Sequence, residues 1–222
     1  MSMQYLIIFD LDGTLVQSKI NYEAIKTEII KLIANVVNKE EFDIIRSFPR
    51  SILELVIMIQ KKDSTGVYYK RAWELIEKYE VEGYEYAEIE LDVVETLKKL
   101  KEQNHFVTIL TNNSRKLTDY ALERFGFKDC IDYVITRDDV EEKKPDPEGI
   151  LFLMKKFSKK SNETIFIGDS WLDAEAGFRA GIHYAHFGTE QPPKSRKDDF
   201  NIDHSLSKIS DIIELINKLN EA

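Results

Sequence analysis

Two aspartates one residue apart, Asp10 and Asp12, follow a short apolar run near the start of the chain and precede a glycine. In an extended strand, side chains two residues apart point to the same side, so these carboxylates converge while Leu11 turns into the core. Crowding two like charges is costly unless a cation or a proton separates them. The pair therefore indicates a divalent-metal site or a nucleophile beside a general acid. A plain Asp-Gly turn at the end of a strand explains it equally well.

Polar residues also follow a second apolar run farther along the chain. The run 106–110 stops at Thr111, and Asn112, Asn113 and Ser114 come next, before a helical pattern. A hydroxyl together with backbone N–H groups at the start of a helix can hold a phosphate oxygen. Asn113 or Ser114 as an ordinary N-cap is compatible with that role. This strand end is therefore a candidate phosphate-binding loop.

Lys144 stands between another predicted strand and a helix, directly before Pro145. Proline keeps the preceding residue out of helical geometry, so Lys144 is held on a stiff segment, as a phosphate-binding cation should be. A solvated surface lysine is the alternative and the more common case, since lysines are mostly exposed. We assign the neighbouring Lys143 to the surface.

Asp169 and Asp173 follow the apolar run 164–167 and Gly168. Their spacing of four residues places them on one face of a starting helix. Helix starts attract aspartate for capping and dipole reasons alone, which is the alternative explanation. Capping does not account for a threonine, a lysine and several carboxylates gathered at the ends of successive strands.

The elements that must position these residues are strands alternating with helices. Apolar runs predict strands at 5–9, 106–110, 133–135, 164–167 and 184–187, and amphipathic stretches predict helices at 91–100, 116–125, 147–157, 172–180 and 209–219. This alternation predicts an α/β fold with a doubly wound, Rossmann-like parallel sheet. In such sheets ligands sit beyond the carboxyl ends of the strands, where the polar residues described above fall.

Residues 17–83 break this alternation. They contain no convincing strand but show helical periodicity at 22–37, 42–46, 52–60 and 68–79. This insertion is longer than an ordinary connection. We predict a core domain of residues 1–16 and 84–222, with an inserted α-helical cap domain of residues 17–83 that moves over the acids. A static bundle that extends the core is the alternative.

Composition excludes several function classes. The formal net charge of −9 and the lack of a long Lys/Arg block argue against nucleic-acid binding. Cys130 is the single cysteine, which excludes an intramolecular disulfide and a multi-cysteine zinc site. We find no secretory leader pattern and no apolar run long enough to span a bilayer, so no membrane role is expected. We expect a cytoplasmic enzyme.

Four motifs stand in a fixed order: DLDGT at residues 10–14, a threonine after the second strand, KPDP at residues 144–147 and GDSWLD at residues 168–173. In this order they resemble the phosphatases of the haloacid dehalogenase superfamily over nearly the whole chain. The helical insertion is similar to the cap of the first subclass, which includes phosphoglycolate phosphatases, pyrophosphatases and β-phosphoglucomutases. The resemblance implies a phosphoric monoester hydrolase with a small phosphorylated metabolite as substrate.

The resemblance also implies roles for the acids. Asp10 would attack phosphorus to form an aspartyl-phosphate, and Asp12 would act as general acid and then general base. Mg²⁺ would be held by Asp10, the backbone carbonyl of Asp12 and Asp169, with Asp173 acting through water or in the surrounding layer. Dehalogenases of the superfamily lack the second acid, so Asp12 argues against carbon–halogen chemistry.

Phosphate binding is carried over by the same resemblance. Thr111 and Lys144 would hold the transferring phosphoryl group, assisted by backbone amides near Leu11 and Asn112. Thr14 favours hydrolysis over phosphomutase activity, because mutases commonly have a bulkier aliphatic residue at that position.

The residues that select the substrate are expected in the cap, in the loop 46–51. Arg50 is suited to a bidentate contact with a second carboxylate or phosphate, with Arg46 as a second candidate, although exposed cap arginines are common. Phosphoglycolate is the first substrate to test. The alternatives are a β-phosphoglucomutase-like phosphomutase and a non-catalytic phosphate sensor. We expect a monomer or a homodimer.

Overall fold

The computed structural model describes residues 3–48, 50–188 and 204–221, and the chain divides into two compact units. The first unit is Met1–Ser18 with Glu88–Ala222, and the second is Lys19–Ala87. The first is an α/β unit and the second is helical, which confirms the predicted fold class.

The α/β unit is built on a parallel sheet. Its strands are β1 (Leu6–Phe9), β4 (Phe106–Leu110), β5 (Tyr133–Ile135), β6 (Thr164–Gly168), β7 (His183–Phe187) and β8 (His204–Leu206). Among the described residues they are ordered β5-β4-β1-β6-β7-β8, and every neighbouring pair is parallel. The chain winds outward from β1 in both directions, which makes the sheet doubly wound and puts the ligand crevice at the carboxyl end near β1.

The helices of this unit are α5 (Val93–Glu102), α6 (Arg115–Arg124), α7 (Glu148–Lys156), α8 (Trp171–Ala180) and α9 (Asp211–Glu221). All five were predicted within about two residues, because each carries an apolar face at helical spacing. The centre of the sheet is inaccessible to solvent, since β1 and the inner part of β6 are completely buried. This packing fixes the relative positions of the loops that leave the strands.

A two-stranded antiparallel sheet that was not predicted from the sequence lies where the chain leaves and re-enters the α/β unit. Strand β2 (Val16–Gln17) pairs antiparallel with β3 (Glu88–Ile89), and Glu90 N–H donates to the Leu15 carbonyl at 3.0 Å. Strands of two residues are too short to show an alternating pattern. The α/β unit leaves off at Ser18 and resumes at Glu88, a few residues beyond the predicted boundaries at residues 16 and 84.

The helical unit contains α1 (Tyr22–Ile33), α2 (Lys39–Ser47), α3 (Ile52–Lys62) and α4 (Val67–Glu85). All four helices were predicted, although α1 ends earlier and α4 continues farther than the periodicity indicated. Their apolar faces form a separate core that includes Ile29, Leu55 and Ile59. Ser51 begins α3 with a capping box completed by Glu54, which fixes the end of the α2–α3 loop. No helix among the described residues is long and apolar enough to cross a membrane.

Candidate active site

The loop after β1 places Asp10 at the carboxyl ends of the strands, in the middle of the sheet. We call this side of the sheet the carboxyl edge. The Asp10 N–H donates to the Ile167 carbonyl at 2.8 Å, so the sheet ladder continues one residue past β1. Leu11 is completely buried, as predicted, and Asp10 is buried as well. The chain then turns at Gly13, whose φ of +83° lies in the left-handed region.

Lys144 lies between two carboxylates. Its Nζ is 2.8 Å from Asp10 Oδ1 and 2.6 Å from Asp173 Oδ1, and its side chain is 3% exposed. Burial alone would lower the pKa of Lys144, but the two carboxylates outweigh burial and raise it, so the ammonium stays charged. The surface-lysine alternative is therefore wrong for Lys144: it is a buried cation at the carboxyl edge.

Asn112 holds the backbone of Lys144 in place. Its side-chain Nδ2 donates to the Lys144 carbonyl at 3.0 Å, and its Oδ1 accepts the Lys144 N–H at 3.1 Å. The side chain of Asn112 is thus used on the neighbouring loop. Thr111 is buried beside it, and its hydroxyl oxygen accepts the Asn113 N–H at 3.2 Å. That arrangement leaves the hydroxyl hydrogen of Thr111 to donate to another group.

Asp169 and Asp173 sit at the junction of β6 and α8. Ser170 is the N-cap of α8 and forms a capping box with Asp173, whose Oδ2 accepts the Ser170 N–H at 3.0 Å and the Ser170 hydroxyl at 2.5 Å. Asp173 is completely buried, and its other oxygen binds Lys144. Asp173 therefore serves both as a cap and as an anchor for Lys144.

Asp169 is packed closely against the turn after β1. A Cβ at Gly13 would lie 2.3 Å from Asp169 Oδ2, so only glycine leaves room for this carboxylate. The hydroxyl of Thr14, completely buried, donates to Asp169 Oδ1 at 3.3 Å. The DLDGT motif thus supplies the space and a hydrogen bond for an acid more than 150 residues away in sequence.

Three carboxylates meet at this edge. Ligand oxygens of Asp10, Asp169 and Asp173 lie within 4.8 Å of one another. Burial, followed by the charge of Asp173, raises the pKa of Asp169 to about 7, and Asp12 adds to this effect. Burial also raises the pKa of Asp10, with Lys144 opposing and the other two acids reinforcing the shift. Burial and the neighbouring acids therefore disfavour the charged forms of Asp10 and Asp169, even with the Lys144 ammonium nearby.

The donor set fits a magnesium ion. Three carboxylates and one ammonium leave an excess of two negative charges, which a divalent cation matches. Asp10 and Asp169 offer carboxylate oxygens, the ligands that Mg²⁺ prefers, whereas the oxygens of Asp173 bind Lys144 and Ser170. Of the residues predicted to hold the metal, Asp10 and Asp169 belong to this group. The carboxylate of Asp12 lies outside it, at the turn that follows, and the prediction for Asp12 concerns its backbone carbonyl.

The predicted substrate-selecting arginines lie in the helical unit. Arg46 is in the last turn of α2, where its guanidinium stacks over the Phe42 ring at 5.6 Å. Arg50 follows in the α2–α3 loop, and its Nε is buried without a hydrogen-bond partner among the described residues. Pro49, in the same predicted loop, is outside the described residues.

Two residues of this site were not identified from the sequence. Ser170 precedes Asp173 by three residues, a capping-box spacing that was available as a signal. Tyr184 lies on β7, and its hydroxyl donates to the Gly168 carbonyl at 2.8 Å. A tyrosine within a buried strand gives no sign of that partner, because pairing between β6 and β7 decides it.

Known proteins are similar to this chain over most of its length. A family model described as "Haloacid dehalogenase-like hydrolase" matches residues 7–187. A relative named pyrophosphatase PpaX, from Bacillus mycoides, is 25% identical over 227 residues, covering 96% of this chain and 97% of the relative.

Solved structures with the same fold include a predicted phosphoglycolate phosphatase from Haemophilus somnus. It is 22% identical, with a TM-score of 0.65, and the alignment covers 97% of this chain and 99% of that one. A β-phosphoglucomutase from Clostridium difficile is 15% identical, with a TM-score of 0.68 and coverage of 99% and 98%. At these identities the two structures show a shared fold.

Proposed function

The chain belongs to the haloacid dehalogenase-like hydrolase family, and within it we propose a Mg²⁺-dependent phosphomonoesterase that acts on a small phosphorylated metabolite. The observation that carries this proposal is the contact of buried Lys144 with both Asp10 and Asp173, beside the third carboxylate of Asp169. The residues that we propose as nucleophile, phosphate-binding cation and metal ligands thus lie next to one another.

In the proposed first step, a carboxylate oxygen of Asp10 attacks phosphorus and the bond from phosphorus to the leaving oxygen breaks. Asp12 gives its proton to that oxygen. In the second step, water attacks the aspartyl-phosphate, Asp12 takes a proton from the water, and the bond between Asp10 and phosphorus breaks. Orthophosphate leaves, and both aspartates return to their initial states.

Donors around Asp10 would stabilise the transferring phosphoryl group. Lys144 is fixed on both sides, by Asp173 at its ammonium and by Asn112 at its backbone, so its charge needs no reorganisation during the reaction. We propose that the Thr111 hydroxyl and the Asn112 N–H donate to the phosphate oxygens. Asp10, Asp169 and the Asp12 carbonyl would hold Mg²⁺, with Asp173 in the surrounding layer; when bound, the ion would neutralise negative charge at the phosphate.

The helical unit is proposed as the cap that selects the leaving group. Arg50 is the better candidate for this role, because the structure gives Arg46 an aromatic partner in Phe42 and leaves the Nε of Arg50 without a hydrogen bond among the described residues. A guanidinium favours a leaving group that carries a second anion. Inorganic pyrophosphate and phosphoglycolate both have one, in keeping with the names of the similar proteins.

The formal charge of −9 and the single cysteine support a cytoplasmic enzyme with a metabolite substrate, and not a nucleic-acid partner. We propose that the protein is a monomer or a homodimer.

A panel of phosphorylated compounds tests the proposed function. We expect released orthophosphate from phosphoglycolate or a simple sugar phosphate with Mg²⁺, and none with excess chelator. Pyrophosphate is assayed beside them, and turnover of pyrophosphate alone would indicate a phosphoanhydride hydrolase. β-Glucose 1-phosphate is assayed in parallel with a catalytic amount of its bisphosphate. Recovery of an isomer in place of orthophosphate would identify a mutase, and no turnover of any compound would favour a phosphate sensor.

Arg50→Ala is expected to raise KM for substrates with an anionic leaving group by about tenfold or more, the loss of one charge-assisted contact, with a small change in kcat. Steady-state kinetics on an anionic and a neutral leaving group separate the two effects. Arg46→Ala is the matched control and is expected to change neither KM. An equal rise for both substrate types in the Arg50 variant would contradict the selecting role.

A further inference from the structure

Tyr184 is a buried tyrosine beside the acidic edge that the proposed reaction does not use. It lies on β7, and its side chain is 5% exposed. Its hydroxyl is 2.8 Å from the Gly168 carbonyl, to which it donates, and 3.5 Å from the Ser170 carbonyl. These two carbonyls belong to the residues on either side of Asp169. The hydroxyl thus sits against the backbone that presents this carboxylate.

The ring of Tyr184 is fixed by its neighbours. It packs edge-on against Phe166 of β6, with ring centroids 6.2 Å apart. It also meets Gly177 of α8, where an added Cβ would lie 3.4 Å from the tyrosine Cβ. The strand before Asp169 and the helix after it therefore both contact Tyr184. These contacts help to hold the hydroxyl beside the Gly168 and Ser170 carbonyls.

The backbone at Gly168, whose carbonyl accepts this hydrogen bond, lies directly against the side chain of Asp173. A Cβ at Gly168 would lie 2.5 Å from the Cβ and Cγ of Asp173, which shows how closely the backbone and that side chain approach. Burial, together with the nearby charges of Asp173, Asp169 and Asp10, raises the pKa of Tyr184. The hydroxyl therefore keeps its proton and remains a donor.

We propose that Tyr184 is a positioning residue for the metal site, which fixes the backbone around Asp169 and so sets the affinity for the divalent cation. This inference rests on the magnesium site of the proposed function. A ligand held by a defined hydrogen bond behind it binds metal more tightly than one that can shift, and loss of such support typically costs about 10- to 100-fold in metal affinity or activity.

Tyr184→Phe tests the inference, because it removes the hydroxyl and keeps the ring. The readout is the dissociation constant for Mg²⁺, fitted to the rise of Tm with Mg²⁺ concentration in initially metal-free full-length protein. We expect this constant to rise about tenfold in the variant. Tyr5→Phe is the matched control: Tyr5 is 1% exposed and lies just before β1, at the amino end of the strands. We expect it to leave the dissociation constant unchanged.

The outcomes separate this inference from the proposed function. A lower Tm in chelator with an unchanged Mg²⁺ requirement would show that Tyr184 only stabilises the fold and would overturn the inference. A wild-type protein that shows no Mg²⁺ effect would overturn both. Mg²⁺ binding that weakens in the variant, in a protein that releases no orthophosphate from any compound, would support the inference and contradict the function.

A second measurement covers the case in which Tyr184→Phe is too unstable for the thermal assay. Mn²⁺ binding is then followed in the cold by electron paramagnetic resonance, which counts bound ions without heating. The same rise in the dissociation constant is expected for the variant, and identical Mn²⁺ affinity in variant and wild type would overturn the inference. With saturating Mg²⁺, we expect the KM for the phosphorylated substrate to be unchanged.

Discussion

Asp10→Asn is expected to reduce kcat by about 10⁴-fold or more, because it removes the carboxylate oxygen that attacks phosphorus. The Asp10→Asn variant should still fold. The Asp10 N–H still reaches the Ile167 carbonyl, and Lys144 keeps its contact with Asp173 at 2.6 Å. Orthophosphate release with saturating Mg²⁺ measures the first effect, and Tm in chelator measures the second. Turnover that survives in this folded variant would contradict the covalent mechanism.

Asp12→Asn is the matched variant that distinguishes the role of Asp12 from that of Asp10. It preserves the Asp10 nucleophile and removes the proton donor, so the loss should depend on the leaving group. We expect a large loss with an alkyl phosphate and a much smaller loss in the first step with 4-nitrophenyl phosphate, whose leaving group needs no proton. A burst of nitrophenol followed by slow turnover would show an aspartyl-phosphate that awaits a general base. Equal losses with both substrates in the first step, measured as the rate of leaving-group release before steady state, would contradict the role of Asp12 as proton donor.

Lys144→Met is expected to be the most destabilising single change at the site. It leaves Asp10 and Asp173 buried beside each other without their shared cation. Removing one partner of a buried ion pair typically costs about 3 to 5 kcal/mol in the free energy of unfolding. Urea unfolding in chelator measures this cost. We also expect kcat to fall by about 10²-fold or more, because a fixed positive charge at the phosphoryl group is lost.

Two further variants show whether charge causes that destabilisation. Lys143→Met alters the adjacent, partly exposed lysine and should lower the free energy of unfolding by much less than Lys144→Met does. Asp173→Asn should destabilise the wild type, since it weakens the contact with Lys144, but should restore part of the stability of Lys144→Met. Additive losses in the double variant would show that the two side chains do not interact.

Most of the sheet could be predicted from the sequence, because its central strands are buried on both faces and read as continuous apolar runs. Phe106–Leu110 and Tyr133–Ile135 match the predicted bounds, and the other predicted strands differ by one residue. Strand β8 was not predicted, since it has three residues and contains His204 and Ser205. The antiparallel pair of β2 and β3 was also missed, because each strand has only two residues.

At the site, sequence reasoning identified the residue types but left their partners undecided. Lys144 is the clearest example, because a Lys-Lys pair before proline most often marks the surface. The structure buries Lys144 against two acids and leaves Lys143 partly exposed. The side chain of Asn112 is a second example: it holds the Lys144 backbone, a contact across 32 residues that no local pattern indicates.

The sequence by itself determined the fold class, the edge of the sheet that carries the chemistry and the order of the acids, threonine and lysine along the chain. These are local properties, since periodicity, proline and glycine act over a few residues. Only the tertiary structure decided which side chains touch. Asp10, Lys144 and Asp173 come from loops far apart in sequence, and Tyr184 reaches the backbone around Asp169 from a neighbouring strand. Strand order and register bring these loops together, and both depend on packing of the whole core.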